Sequence, residues 1–371
     1  MEKSIKREQK SEPPPGGWFT NTAKIIKYIH PMIIKLYPSN NSQYKPSLLD
    51  NKQRYEVVIS LFNECNMACT FCADRLRNTE KLSKHAVDLR IKHFNTLCDS
   101  GIFTQPHVDI KLFGGELFQD KYSDNQFGLY QYFVDTIKDK LESMQRTFQL
   151  FVSSNMIFKN QKRVFEWLKA NKVIIRCSFD FNGRFTKRYQ LQQFVKNVYA
   201  CKDAGLDPHL AVIITNDCID TIVKQQSCDL LDVFNQFYSD GILAQFDYYD
   251  GSDTIMNSTS SIVDPSQPSE ERLVDFMIYL DQHYTDVDFI QEMYKASHQN
   301  RHCCHGATIT DKLYYECCNL HDVTLSILDK KSCYTCPFFN TCPGMCNRVF
   351  HNSGSFCHLK AFFEYLQAKQ Q

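Results

Sequence analysis

From residue 55 to residue 249 the sequence alternates between two apolar periodicities, and that alternation leaves few folds open. Short β-rich runs occur at Val57–Phe62, Val108–Phe113, Phe148–Ser153, Val173–Phe179, His209–Thr215 and Ala244–Tyr249. Helical spacing fills the intervals. Val87, Ile91, Phe94 and Cys98 share one face behind Ser83 as a cap, as do Leu129, Phe133, Ile137 and Leu141, and then Leu191, Phe194, Val195 and Val198. Strands alternating with helices imply βα units and a parallel sheet buried on both faces. Six such units make either a doubly wound sheet or an incomplete barrel. In both, ligands gather at the C-terminal ends of the strands.

The flanking regions read differently. Residues 1–50 form an extension, broken by Pro13-Pro14-Pro15-Gly16-Gly17 and by the polar stretch around Asn40 and Pro46, with an apolar–basic segment between. The α/β domain spans 51–265 and ends in the Ser, Asp, Thr and Pro of Ser252 to Ser269. A linker helix follows within 266–298, with Leu273, Phe276, Met277 and Leu280 on one face. From 299 to 371 periodicity fails and Cys, Pro, Asn and Gly dominate, as in a small domain held by metal rather than by a core.

Charge and length exclude several classes. Lys+Arg and Asp+Glu are both 42, which lacks the basic footprint of a nucleic-acid clamp. No apolar run reaches the length of a membrane-spanning helix, and the charged start Met1 to Lys10 has no apolar signal core. A cytoplasmic protein is the expectation. In that setting seventeen cysteines call for metal ligation rather than disulfides. Cys65, Cys69 and Cys72 lie within one turn-sized segment, and nine more fall between Cys303 and Cys357. Cys98, Cys177, Cys201, Cys218 and Cys228 are scattered singly and read as small buried residues.

The first group carries the chemistry. Cys65-x3-Cys69-x2-Cys72 follows the first strand, so three thiolates at a strand end can hold three irons of a 4Fe–4S cube and leave the fourth open. Zinc prefers paired thiols with a fourth ligand nearby, a pattern this spacing fits poorly. With the aromatic Phe71 before the last cysteine, the segment resembles the radical S-adenosylmethionine superfamily. The resemblance implies an incomplete (β/α)6 barrel in which the open iron chelates S-adenosylmethionine, Phe71 packs near the adenine, and reductive cleavage yields a 5′-deoxyadenosyl radical. Gly114-Gly115-Glu116 after the second strand resembles the family's Gly-Gly-Glu element, where glycines allow close approach and a carboxylate accepts from an ammonium group. By the same resemblance Asn155 after the third strand, and Ser178 and Asp180 after the fourth, meet the ribose and methionine, and Arg188 meets the carboxylate.

The second group, Cys333-x2-Cys336-x5-Cys342-x3-Cys346 followed by Cys357, is preceded by Cys303-Cys304 and Cys317-Cys318, which flank a Thr308–Tyr315 segment suited to a hairpin. It resembles the SPASM extension of that superfamily, which holds two auxiliary iron–sulfur clusters. The resemblance implies Cys333, Cys336, Cys342 and Cys357 on one cluster, and Cys346, Cys304 and Cys317 on the other. The fourth ligand of the latter is Cys303, Cys318 or none. Lys312 stands where the family usually has a glycine, and the adjacent cysteine pairs leave the register open by one. A pair of zinc knuckles is the alternative, and with it a Cys-rich sensor or interaction module rather than an enzyme.

The extension implies an oxidative reaction that disposes of an electron, and peptide substrates by association with the family. The expectation is a maturase that crosslinks a ribosomally synthesised precursor peptide, supplied with electrons by a flavodoxin or ferredoxin. Sulfatase-type side-chain oxidation and small-alcohol dehydrogenation are the other enzymatic readings. Asp180 and Asp247, at strand ends, are candidates for a substrate base.

Overall fold

The computed structural model describes residues 54–69, 72, 80–101, 105–121, 125–181, 183–225, 228–248, 268–284 and 306–314, with positions 361, 364, 365 and 368. The N-terminal extension, Phe71, most of the 252–269 linker and all nine C-terminal cysteines lie outside these residues.

The six anticipated strands are present as β1 (Arg54–Ser60), β2 (His107–Phe113), β3 (Thr147–Ser154), β4 (Ile174–Phe179), β5 (Pro208–Ile214) and β6 (Ala244–Tyr248). Between and after them run α1 (Lys84–Asp99), α2 (Asn125–Ser143), α3 (Gln161–Ala170), α4 (Arg188–Asp203), α5 (Asn216–Val223), α6 (Asp229–Ser239) and α7 (Glu270–His283). Ser83 caps α1 as its position predicts, its hydroxyl accepting from the Ala86 N–H at 3.1 Å.

Strand order decides between the two architectures left open. β1 to β6 lie side by side in sequence order, every neighbour parallel. A doubly wound sheet needs a reversal of order, and none occurs. Successive right-handed crossovers in one direction put all the helices on one face, which is the single winding of a barrel. The barrel does not close. On its far edge β1 pairs with β7 (Gly306–Ile309), parallel, and β7 pairs antiparallel with β8 (Leu313–Tyr314). The hairpin expected in this segment is therefore present as β7 and β8, within the described residues, and extends this sheet. His93 of α1 bonds its tip at the Asp311 carbonyl, 3.0 Å away.

The sheet is not buried on both faces. Along β2 and β4 buried and half-buried residues alternate. Val57, Ile59, Val108, Ile110 and Leu112 join Val87, Ile91 and Phe94 of α1 in one apolar core. The other face carries polar groups, with Lys111 paired to Glu56 at 2.6 Å across β1 and β2. An inner face of an unclosed barrel lines a cleft instead of meeting a second layer of helices, which explains the two-residue alternation.

Of the single cysteines, Cys98, Cys177, Cys201 and Cys218 are buried as expected. Cys228 departs from that reading. It is half-buried and caps α6, its sulfur accepting from the Leu231 N–H at 3.4 Å. No described helix is long and apolar enough to cross a membrane.

Candidate active site

Cys65, Cys69 and Cys72 belong to the segment that leaves the C-terminal end of β1. Its neck is closed by hydrogen bonds. The N–H groups of Asn63 and Glu64 both donate to the Glu80 carbonyl at 3.2 Å, and the Asn63 side chain accepts from the Glu80 N–H. Arg90 of α1, only 1% exposed, donates through Nε to the Ser60 carbonyl at 2.9 Å and grips both carboxylate oxygens of Glu80. One buried arginine thus ties the last residue of β1 to the far end of the segment.

Within the segment the Cys72 N–H bonds the Cys69 carbonyl at 3.3 Å, which closes a turn between these two cysteines. Cys69 is buried, Cys72 half-buried and Cys65 at the surface. Two donors face the Cys65 sulfur, the Met67 N–H at 3.4 Å and Asn155 Nδ2 at 3.8 Å. Although Cys65 keeps exposed surface, the protein around its sulfur desolvates the thiol and pushes it up to about 12, helped by the nearby Glu116 carboxylate and by Cys69 and Cys72; Cys69 is raised mainly by desolvation as well. Cys69 and Cys72 disfavour ionisation of Cys65, and Cys72 that of Cys69, a repulsion that a bound cation offsets. Iron does so, and coordination removes the protons outright. N–H groups aimed at sulfur are a favourable surrounding for thiolates bound to iron. Among the described residues no three His, Cys, Asp or Glu side chains are placed to hold a metal ion.

The Gly-Gly-Glu element packs directly on this segment. Gly114 has φ +86° and Gly115 φ +56°, the left-handed region that favours glycine. A Cβ at Gly114 would strike the Ser60 side chain. At Gly115 it would strike the Glu64 carbonyl and come within 3.0 Å of the Asn63 carbonyl carbon. The close approach that these glycines permit is to the backbone leading into the cysteines. The Glu116 N–H then bonds the Glu64 carbonyl at 3.0 Å, and Gln119 reaches the same oxygen at 2.8 Å.

Glu116 is 1% exposed, and its carboxylate is engaged by the protein itself. Oε1 accepts from the Ser154 hydroxyl at 2.8 Å and the Phe118 N–H at 3.0 Å, and Oε2 accepts from the Asn155 N–H at 2.6 Å. Burial raises its pKa; those three donors and the charge of Arg184 oppose the rise.

Asn155 turns toward the cysteines. Its Nδ2 donates to Asn66 Oδ1 at 2.7 Å as well as facing Cys65. Ser178 is half-buried near the end of β4, and Asp180 just beyond is 1% exposed, its charge felt at Cys69. Arg188 is exposed on the first turn of α4. The arginine whose charge reaches both Cys69 and Glu116 is Arg184, four residues earlier. Asp247 lies opposite Ile213 in the β5–β6 ladder. The structure therefore groups the first three cysteines with Gly114, Gly115, Glu116, Asn155 and Asp180.

Sequence reasoning missed Arg90, Glu80, Asn66, Arg184 and Asn197. A signal existed for two of them. Arg90 falls among Ala86, Val87, Ile91 and Phe94, and Asn197 among Phe194, Val198 and Cys201, each a polar residue on a buried apolar stripe. Such a residue must find partners inside the protein.

No family model matches the sequence, and no curated protein matches it. Solved structures do. Native anSMEcpe with bound AdoMet and the Cp18Cys peptide is similar with a TM-score of 0.59 at 13% identity, over 85% of this chain and 97% of that one. The same protein with the Kp18Cys peptide gives 0.60 at 14%, over 85% and 98%. Streptococcus suis SuiB bound to precursor peptide SuiA gives 0.48 at 13%, over 90% and 86%. The likeness shows the fold, an open, partial α/β barrel that this chain shares with anSMEcpe.

Proposed function

We propose that this chain is a radical S-adenosylmethionine enzyme that oxidatively modifies a ribosomally synthesised peptide, forming a crosslink within it. One observation carries the reading. Three thiols leave the C-terminal end of β1 in an open barrel, and the polar residues packed around them come from the ends of β2, β3 and β4.

Cys65, Cys69 and Cys72 would hold a 4Fe–4S cluster, which with S-adenosylmethionine would supply radical chemistry at this strand end. The chain's own groups prepare that site. Gly114 and Gly115 let β2 press on the cysteine segment, and Glu116 locks the ends of β2 and β3 together. Asp180 and Arg184 provide a buried carboxylate and a cation beside Cys69 that suit the zwitterionic end of a methionine group. Residues of the inner sheet face, including the Lys111–Glu56 pair, flank the cleft where a peptide would lie.

Cys333, Cys336, Cys342 and Cys357 would hold one auxiliary cluster, and Cys346, Cys304 and Cys317, with Cys303, Cys318 or no fourth thiol, a second; such clusters would supply an acceptor for the electron released on oxidation of the substrate. Their spacing supports this, as does the likeness over 85% of the chain to anSMEcpe, a protein seen with AdoMet and a peptide. A flavodoxin or ferredoxin of the cytoplasm is the electron donor.

Anaerobic purification, assay of iron, sulfide and zinc, and incubation with S-adenosylmethionine, reductant and small precursor peptides test this. Iron with sulfide, 5′-deoxyadenosine, and a peptide lighter by whole hydrogens are the expected results. Zinc without iron overturns the enzyme. Deoxyadenosine with no change in any peptide overturns the substrate, and a mass loss on a folded protein instead identifies side-chain oxidation.

A further inference from the structure

Asn197 sits in α4 with no exposed surface, and both bonds that its side chain donates point at one turn. Its Nδ2 donates to the carbonyls of Met156 and Phe158 at 2.7 and 2.8 Å. Its Oδ1 accepts from Gln161 at 2.7 Å and Gln193 at 2.9 Å, and Gln193 also donates to the Phe158 carbonyl at 3.1 Å. Gln161 and Gln193 therefore fix the Asn197 amide with its donors toward the turn.

The turn is strained. Met156, fully buried, has φ +58°, a region that side chains other than glycine rarely adopt. Its N–H is held by the Ser154 hydroxyl at 3.0 Å, and the Ile157 N–H is held by Asn155 Oδ1 at 2.9 Å. With Oδ1 so occupied, Asn155 has only Nδ2 to offer the cysteine segment, where it meets Asn66 and the Cys65 sulfur. Asn66 in turn donates to the Ile157 carbonyl at 2.9 Å. The left-handed residue thus bends the backbone so that its two neighbours, Asn155 and Ile157, both grip the segment beside Cys65.

We propose that Asn197 is a positioning residue for the cluster: from the core it holds the strained turn after β3, which aims the Asn155 amide at the Cys65 sulfur. Asn155 then acts on the cluster rather than on the ribose. The inference rests on the radical S-adenosylmethionine reading, because the amide matters only when Cys65 is an iron-bound thiolate. A hydrogen bond to a ligand sulfur favours the more negative, reduced cluster and so raises its potential.

The test uses the full-length protein, reconstituted anaerobically, with Asn155→Ala, Asn197→Ser and the double variant. Iron content is measured, together with the midpoint potential of the reduced signal that responds to S-adenosylmethionine. Asn155→Ala is expected to lower the potential with iron retained. Asn197→Ser should lower it in the same direction, and the double variant no further than Asn155→Ala. An unchanged potential in Asn155→Ala, or additive shifts in the double variant, overturns the proposal. An Asn197 with a merely structural role lowers the thermal midpoint and leaves the potential alone. A wild-type protein that takes up no iron overturns the underlying reading instead, so the two failures are distinct.

Discussion

Glu116, beyond the end of β2, accepts a hydrogen bond from the hydroxyl of Ser154 at the end of β3 at 2.8 Å, and the two residues join the C-terminal ends of these adjacent strands beside the cysteines. The carboxylate uses both oxygens for three donors. Glu116→Gln turns one acceptor into a donor facing a donor, which costs roughly 1–3 kcal/mol. The titration has a definite sign. Burial holds the folded pKa above the ordinary 4.5, so the folded chain keeps its proton longer than the unfolded one. The stability from this group is complete below 4.5 and is lost as pH rises through the folded value. Urea midpoints from pH 4.5 upward should fall less steeply for Glu116→Gln than for the wild type.

Gly115 and Gly101 separate two causes of glycine dependence. Both have positive φ, but a Cβ at Gly101 meets nothing within 4 Å, whereas one at Gly115 runs into Glu64 and Asn63. Gly101→Ala is expected to cost about 1–2 kcal/mol from backbone strain alone. Gly115→Ala adds overpacking and should cost roughly 2–5 kcal/mol. It should also displace the cysteine segment, so iron uptake falls in Gly115→Ala and is unchanged in Gly101→Ala. Thermal melts with iron assays on both variants check this.

Arg90 is the latch of the same segment. Removing it strands the Ser60 carbonyl in the core and frees Glu80, which is partly solvated. Arg90→Met should cost about 2–4 kcal/mol. Arg90→Lys should recover little, since an ammonium cannot hold two carboxylate oxygens while also bonding a carbonyl in this fixed fork. Limited proteolysis should then cut between residues 61 and 83 faster in both variants, while sites elsewhere keep their wild-type rates.

The barrel was legible because its cause is local. Val87, Ile91, Phe94 and Cys98 face one core, and their spacing records it directly. The three cysteines and Gly-Gly-Glu were legible because they are contiguous. The grip of Asn197 on Met156 was not, since it joins residues about forty apart through backbone carbonyls, which any sequence offers. Nothing in the letters marks Met156 as left-handed either; tertiary bonds hold it there. Arg184 and Arg188 sit in one short stretch after β4, and only the course of the chain there separates the half-buried cation from the exposed one. The hydrophobic alternation also hid that one face of the sheet is a cleft, because half-buried strands read alike whether they face water or a ligand.

Cysteine substitutions distinguish ligands from packing. Cys98, Cys177, Cys201 and Cys218 are buried in the apolar core, and desolvation raises every one of their thiols. Serine at any of them places a hydroxyl among apolar atoms, expected to cost about 1–3 kcal/mol while leaving the iron content unchanged. Cys65→Ala, Cys69→Ala and Cys72→Ala together should behave oppositely. Cys65 is at the surface and Cys72 half-buried, so in the apo chain the stability lost should come mainly from the buried Cys69. The loss should instead be about four irons of a total near twelve, the content of one cube among three. Deoxyadenosine formation should vanish with them, since the remaining cubes are fully ligated or lack the barrel's site. Iron, sulfide and melting temperature measured on the same preparations decide the matter. A triple variant that keeps its full iron content places the catalytic cluster elsewhere.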